Sequence, residues 1–210
     1  MLPESVLEII WRVPALLLAI TIHEYAHGRV AYHFGDPTAK YQGRLSLNPL
    51  RHLDPLGTAA LLLFGFGWAK PVPINPYNFR DFRSGMLWVS LAGPLANFAL
   101  ALVSLFLLFL PARLGFYWPG YAQFVNILVI YNVLLGVFNL IPIPPLDGSK
   151  ILAALLPEGA AALLRQIEPY APVLLMVLIF SGAVRWLVWP LYSAIRQGMQ
   201  AVVLLLLGLT

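Results

Sequence analysis

Of the 210 residues, 10% are charged and 60% hydrophobic, and the mean hydropathy is +0.80. That balance excludes a charged soluble enzyme with a large polar cleft and places the chain among multi-span membrane proteins; the length leaves room for one membrane domain, residues 1–210, and no sizeable soluble module. The absence of cysteine excludes disulfides and thiolate metal sites, leaving His and carboxylate as ligands.

The net charge of +4 is unevenly placed. Residues 29–83 carry seven basic side chains (Arg29, Lys40, Arg44, Arg51, Lys70, Arg80, Arg83) against three acidic ones (Asp36, Asp54, Asp81), a surplus equal to that of the whole chain. By the positive-inside rule this stretch faces the cytoplasm. The flanking spans argue against the rival reading of basic charge, a nucleic-acid surface.

A first span is predicted at about 6–31, bent by Pro14. The N-terminus is acidic where a secretory leader needs a basic region, so this span is expected to be retained. Inside it lies His23-Glu24-Tyr25-Ala26-His27. Histidines at i and i+4 stand about 40° apart on one helical face, so both imidazoles can reach one metal ion. A carboxylate beside them can take a proton from a metal-activated water. Each ionisable group in a span costs roughly 2.5–3.5 kcal/mol on insertion scales, so three together in a span are not explained by packing. The bland alternative is a pair of core histidines with a snorkelling Glu.

Residues 35–55 are polar and turn-rich, and 44–47 (Arg-Leu-Ser-Leu) alternate with period two, predicting a short strand or hairpin. The apolar run 56–66, roughly 17 Å as a helix, is too short to cross a 30 Å core and reads as re-entrant or interfacial. A proline-stiffened loop follows at 67–85. Two clear spans are predicted at 86–110 and 124–141, joined by a loop with Tyr117, Trp118 and Tyr121 at headgroup depth. Residues 142–148 form a rigid break carrying the lone carboxylate Asp147, tolerated at membrane depth only where protein or a watery cavity covers it. The tail from 169 to 210, interrupted by Arg185 and Arg196, fits two short spans or one span plus an interfacial helix. If 56–66 enters and returns, the two following spans deliver Asp147 to the depth and side of His23 and His27; a full crossing would put it on the opposite face.

A hydrolytic zinc site needs three protein ligands and an open position. His23 and His27 supply two. The residues alone leave the third open among Asp147, His52, Asp54 and, about 120° round the helix from His27, His33. His52 and Asp54 also read as local turn and cap groups, and Asp147 as the cap of a helix starting near Ser149; position favours Asp147.

These motifs resemble the site-2 protease family of intramembrane zinc metalloproteases, in its compact prokaryotic form without PDZ or regulatory domains. The matching stretches are His23-Glu-Tyr-Ala-His27, Ala92-Gly93-Pro94-Leu95-Ala96-Asn97 and Asn139-x-x-Pro142-x-Pro144-Pro145-Leu146-Asp147-Gly148. Gly35-Asp36, Asn48-Pro49-x-x-His52-x-Asp54-Pro55-x-Gly57-Thr58 and Ala69-Lys70-Pro71-Val72-Pro73-Ile74-Asn75 also match its short members, so the likeness spans about residues 20–150. It implies Zn²⁺ held by His23, His27 and Asp147, Glu24 as general base, and Asn97 and Asn139 lining the substrate path. Each Asn has a structural alternative as a helix-to-helix bond in the membrane. The implied fold is an all-α polytopic membrane protein: a three-helix catalytic core (about 6–150), a re-entrant segment, a small β element and one or two C-terminal helices (about 160–210). The implied reaction is cleavage of peptide bonds within or near transmembrane segments of membrane proteins. The setting is multi-pass in the cell membrane, active site toward the cytoplasm, with the lipid bilayer and a transmembrane protein substrate as partners and no nucleic acid. A strand near 44–47 would offer an edge on which an unwound substrate pairs. The rivals are a zinc transporter, which would need a second His/Asp-rich span, and a metal-binding scaffold.

Overall fold

The computed structural model describes residues 4–58 and 67–209, and the chain is mostly helical. The long helices are α1 (Glu4–His33), α3 (Phe82–Arg113), α4 (Pro119–Asn139) and α8 (Ala183–Leu207); shorter ones are α2 (Thr38–Tyr41), α5 (Asp147–Leu155), α6 (Glu158–Ile167) and α7 (Ala171–Phe180). Among the described residues α3, α4 and α8 are long and apolar enough to cross a membrane. The 30 residues of α1 reach about 45 Å, also ample, but Arg12, His23, Glu24 and His27 dilute its apolarity. The helix runs on through Pro14. Residues 158–170 and 173–180 form a pair bent by 76° that would make one broken span if taken together.

Helices α1, α3 and α4 pack against one another, and α8 lies along α3 and α4. The buried positions of α4, Val125, Leu128, Val129, Asn132, Val133, Gly136 and Val137, recur every three to four residues and so form one stripe. That stripe meets Ala101 and Leu105 of α3 and Val188, Tyr192 and Val203 of α8 in a single core. Lipid is as apolar as these side chains, so close packing and buried polar bonds, rather than exclusion from water, hold the bundle together.

Helix α3 starts at Asp81, whose carboxylate accepts from the Arg83 and Ser84 backbone N–H groups. The Arg83 side chain then reaches the far end of α5, donating to the carbonyls of Ala154 (2.5 Å) and Leu155 (2.9 Å). A cation on these orphan carbonyls complements the helix dipole and fixes α5, which begins with Asp147, against the start of α3.

The strand expected at 44–47 does not form. Arg44 and Leu45 both donate their N–H groups to Ala39 O, and Ser46 O is taken by the His52 ring. The local turn thus consumes the groups a ladder would need, and the β pairing among the described residues is one antiparallel bridge between Leu53 and Ala69. Of the expected re-entrant run, 59–66 lies outside the described residues.

The segment 67–81 is tied to α1 mainly through Asp36, which is fully buried. Its carboxylate accepts from Thr38 N (3.1 Å), Thr38 Oγ1, Asn75 N (2.7 Å) and Asn78 Nδ2 (2.8 Å). Burial pushes the Asp36 pKa up, but the hydrogen bonds from Thr38, Asn75 and Asn78 outweigh it and hold the group below the ordinary carboxylate value. Because the folded pKa is depressed, this stabilisation is present above the unfolded pKa of about 4 and is lost as pH falls through the folded value. Asp36→Ala is expected to destabilise the protein by about 1.5–3 kcal/mol or more at pH 7. The gap to wild type in detergent denaturation midpoints should narrow below about pH 4; a pH-independent gap would contradict this assignment.

Candidate metal centre

On α1, His23 and His27 are both nearly fully buried, at 5% and 6% exposure. Each ring is aimed by a bond from its Nδ1 to α3. His27 Nδ1 lies 2.6 Å from Val89 O, a carbonyl that can only accept, so that nitrogen carries the proton. His23 Nδ1 lies 2.6 Å from Asn97 Oδ1. The orientation of that amide is fixed on its other side: Asn97 Nδ2 donates to Ala19 O (3.0 Å) and to Asn132 Oδ1 (2.8 Å). Asn132 in turn donates to Leu128 O of its own helix. His23 is therefore also protonated at Nδ1, so in its neutral form each ring presents a bare Nε2 lone pair.

These lone pairs face each other at 3.0 Å and face Asp147 Oδ2 at 3.2 Å (His23) and 3.1 Å (His27). Asp147 Oδ2 is buried and receives no hydrogen bond. Three acceptors in mutual contact repel unless a cation lies among them. Ligand atoms about 2.0–2.1 Å from a tetrahedral ion sit roughly 3.3 Å apart, close to this triangle, and two imidazoles with one carboxylate form a zinc-type donor set. The residues fit the metal.

Two glycines make the triangle possible. A Cβ on Gly93 of α3 would overlap His27 Nε2 and His23 Nε2, so no larger residue leaves room for the rings. A Cβ on Gly148 would overlap the Leu140 and Ile141 carbonyls, under which the break folds to bring Asp147 back toward α1. The capping role open to Asp147 is not taken: α5 is preceded by Leu146, with no side-chain cap.

Beside the triangle opens a cavity of about 590 Å³, lined among others by His23, Glu24, His27, Asn139 and Asp147. Glu24 is half-buried there, with Oε2 accepting from Val72 N at 2.7 Å. Asn139 borders the cavity and donates to Leu135 O of its own helix. Asn97 has different employment from the substrate contact expected of it: it is fully buried and spends its amide on His23, Ala19 and Asn132. The other candidate ligands lie elsewhere. His52 donates to Ser46 O, Asp54 accepts from Gly57 N, and His33 is exposed; among the described residues His23, His27 and Asp147 are the group that could hold a metal. Sequence reasoning assigned no role of their own to Gly93 and Asn132. The spacing from Gly93 to Asn97, one helical turn on the face toward the histidines, was the available signal.

A bundle of membrane-length helices around a His-Glu-x-x-His pair and a distant Asp defines the class: a membrane-embedded metallopeptidase. Sequence comparison agrees. The model of peptidase family M50 matches residues 117–181, which contain Asp147. The chain is 43% identical over 190 residues to the putative zinc metalloprotease YwhC of Bacillus subtilis, covering 88% of this chain and 87% of that protein. It is 32% identical over 179 residues to the putative zinc metalloprotease Rip2 of Mycolicibacterium smegmatis, covering 81% and 67%. Over 157 residues it is 34% identical to the putative zinc metalloprotease MJ0611 of Methanocaldococcus jannaschii, covering 70% and 72%. No solved structure gives a significant match. The chain belongs to peptidase family M50, the site-2 protease family, and is a metalloprotease.

Gly93→Ala is expected to lower zinc affinity by about 10–100-fold, the range typical of losing support around a metal ligand, with helix content unchanged by circular dichroism. Wild-type affinity in a chelator-competition titration would contradict the packing argument.

Proposed function

We propose that this protein is an intramembrane zinc metalloprotease that cleaves peptide bonds within or beside transmembrane segments of other membrane proteins, and that residues 1–210 form one protease domain. The observation that carries the reading is the donor-free Asp147 Oδ2 facing two Nε2 lone pairs at the wall of a cavity that also holds Glu24. In this reading His23, His27 and Asp147 are the ligands, and Asn97, steadied by Asn132, holds His23 in its metal-binding tautomer. When bound, zinc supplies Lewis acidity toward a scissile carbonyl and makes water acidic enough to serve as nucleophile near neutral pH.

Glu24 acts as the general base. Val72 N–H holds Oε2, which fixes the carboxylate against the cavity and leaves Oε1 for the water proton, later passed to the leaving amine. A peptide bond inside a helix is shielded by its own hydrogen bonds, so the substrate must be extended before attack. Pro71, Val72 and Ile74 of the non-helical segment before the Pro76–Asn78 turn line the same cavity, and this segment replaces 44–47 as the surface along which an unwound substrate would lie. Asn139, at the cavity wall, is the remaining candidate for a substrate backbone contact. The surplus of basic residues over 29–83 supports a cytoplasmic-side active site in the cell membrane. A transporter would need further ligand groups along a path, and among the described residues there is this single cluster.

The test is Glu24→Gln, zinc-loaded, in proteoliposomes with a panel of tagged transmembrane-helix peptides. The variant is expected to keep one zinc per chain while cleavage falls by about 10²–10⁴-fold. Cleavage that survives the change would remove Glu24 from the base role.

A further inference from the structure

Beyond the peptidase site, a second cavity of about 540 Å³ opens at the other side of α1, lined by Arg29, Val30, Tyr32, His33 and Arg80. Arg29 and His33 are one helical turn apart, on the face about 200–240° round from His27, so they point away from the metal centre. Arg80 arrives from the loop ahead of α3, and its backbone N–H is held by Phe34 O at 3.0 Å, which fixes the loop against the end of α1. Lys40 adds positive charge at the rim: its ammonium lies 3.1 Å from the Tyr32 hydroxyl and 4.8 Å from that ring's centre.

Among the described residues this cluster has no counter-charge: Arg29, His33 and Arg80 enter no ion pair, and no carboxylate lines the cavity. The two acids nearest in sequence are committed elsewhere, Asp36 to the buried turn and Asp81 to the start of α3. Two guanidinium groups and an imidazole converging on an open, acid-free hollow suit a phosphate group, which guanidinium binds through two parallel N–H bonds. The hollow sits where a helix of membrane length ends, on the side that the charge bias assigns to the cytoplasm, with an exposed tyrosine at its edge. Phosphate is presented at that depth by lipid headgroups.

We infer that Arg29, His33 and Arg80 form a binding site for the phosphate of an anionic phospholipid in the cytoplasmic leaflet. The inference rests on the membrane setting and not on the peptidase chemistry.

Native mass spectrometry of the full chain in detergent, titrated with phosphatidylglycerol, phosphatidylcholine or inorganic phosphate, tests it. Wild type should retain one phosphatidylglycerol more tightly than phosphatidylcholine, and R29Q/R80Q should weaken that adduct by about 30-fold, the effect of two basic residues at a membrane surface. R51Q, which removes an exposed arginine elsewhere in the basic stretch, should keep it, and R29K/R80K, which keeps the charge but not the paired N–H geometry, should fall between wild type and R29Q/R80Q. Unchanged zinc content in R29Q/R80Q shows that the fold is intact; should that variant lose zinc, R80Q alone, which leaves α1 untouched, gives the readout with a smaller loss. Equal retention of the two lipids, or equal weakening by R51Q, would overturn the site in favour of diffuse charge. Inorganic phosphate held as tightly as phosphatidylglycerol would overturn the lipid assignment and point to a soluble anion.

Discussion

Three buried acceptors with no donor between them, His23 Nε2, His27 Nε2 and Asp147 Oδ2, meet where α1, α3 and α5 come together. In an apolar bundle this is a costly arrangement until a cation occupies it. Much of the surrounding structure follows from keeping those atoms in place. The Val89 carbonyl and the Asn97 amide set the tautomers, and Asn132 sets the amide. Gly93 leaves the volume the rings require, and Gly148 lets the break fold tightly enough to return Asp147. Both histidine rings are thus held by groups on a helix other than their own, so bundle packing and the geometry of the triangle are one problem.

The loops between α1 and α3 do related work at the front of the bundle. Asp36 binds both the start of α2 and the 75–78 turn, while Arg44 donates to Lys70 O at 2.7 Å and Lys70 N donates to His52 O at 2.9 Å. Together they press the segment before the Pro76–Asn78 turn against α1, which is what allows Val72 N–H to meet Glu24. A loop that holds Glu24 and also lines the cavity would, with Glu24 as the proposed general base, link the positioning of a substrate to the readiness of that base. Arg83 performs the matching service on the far side by fastening α5 to the start of α3.

Much of this was legible in the sequence because the signals are local. The His23–His27 pair follows from helical spacing alone, and the spans over 86–110 and 124–141 from continuous apolarity, so α3 and α4 fall where expected. Topology pointed to Asp147 on the expectation that 56–66 enters and returns, but spacing could not separate it from His52 or Asp54; the choice needed a tertiary contact. Asn97 illustrates the limit. A buried amide announces that it needs partners, not which ones, and its partner is the His23 ring nitrogen. The period-two pattern at 44–47 misled because alternation reports side-chain exposure, whereas strand formation depends on free backbone groups, and here the turn after α2 and His52 take them. For Gly93 the one-turn spacing to Asn97 marks a shared face, but only the position of rings on another helix reveals what a Cβ there would strike.

In the proposed reading Asp147 completes a zinc site with His23 and His27. Zinc content and X-ray absorption on the detergent-purified chain, wild type against Asp147→Ala, test it most directly. Wild type is expected to hold one zinc per chain with two imidazole nitrogens and a carboxylate oxygen at about 2.0–2.2 Å, and the variant to lose the oxygen shell with a marked fall in affinity. Unchanged affinity and an unchanged first coordination shell in Asp147→Ala would contradict it.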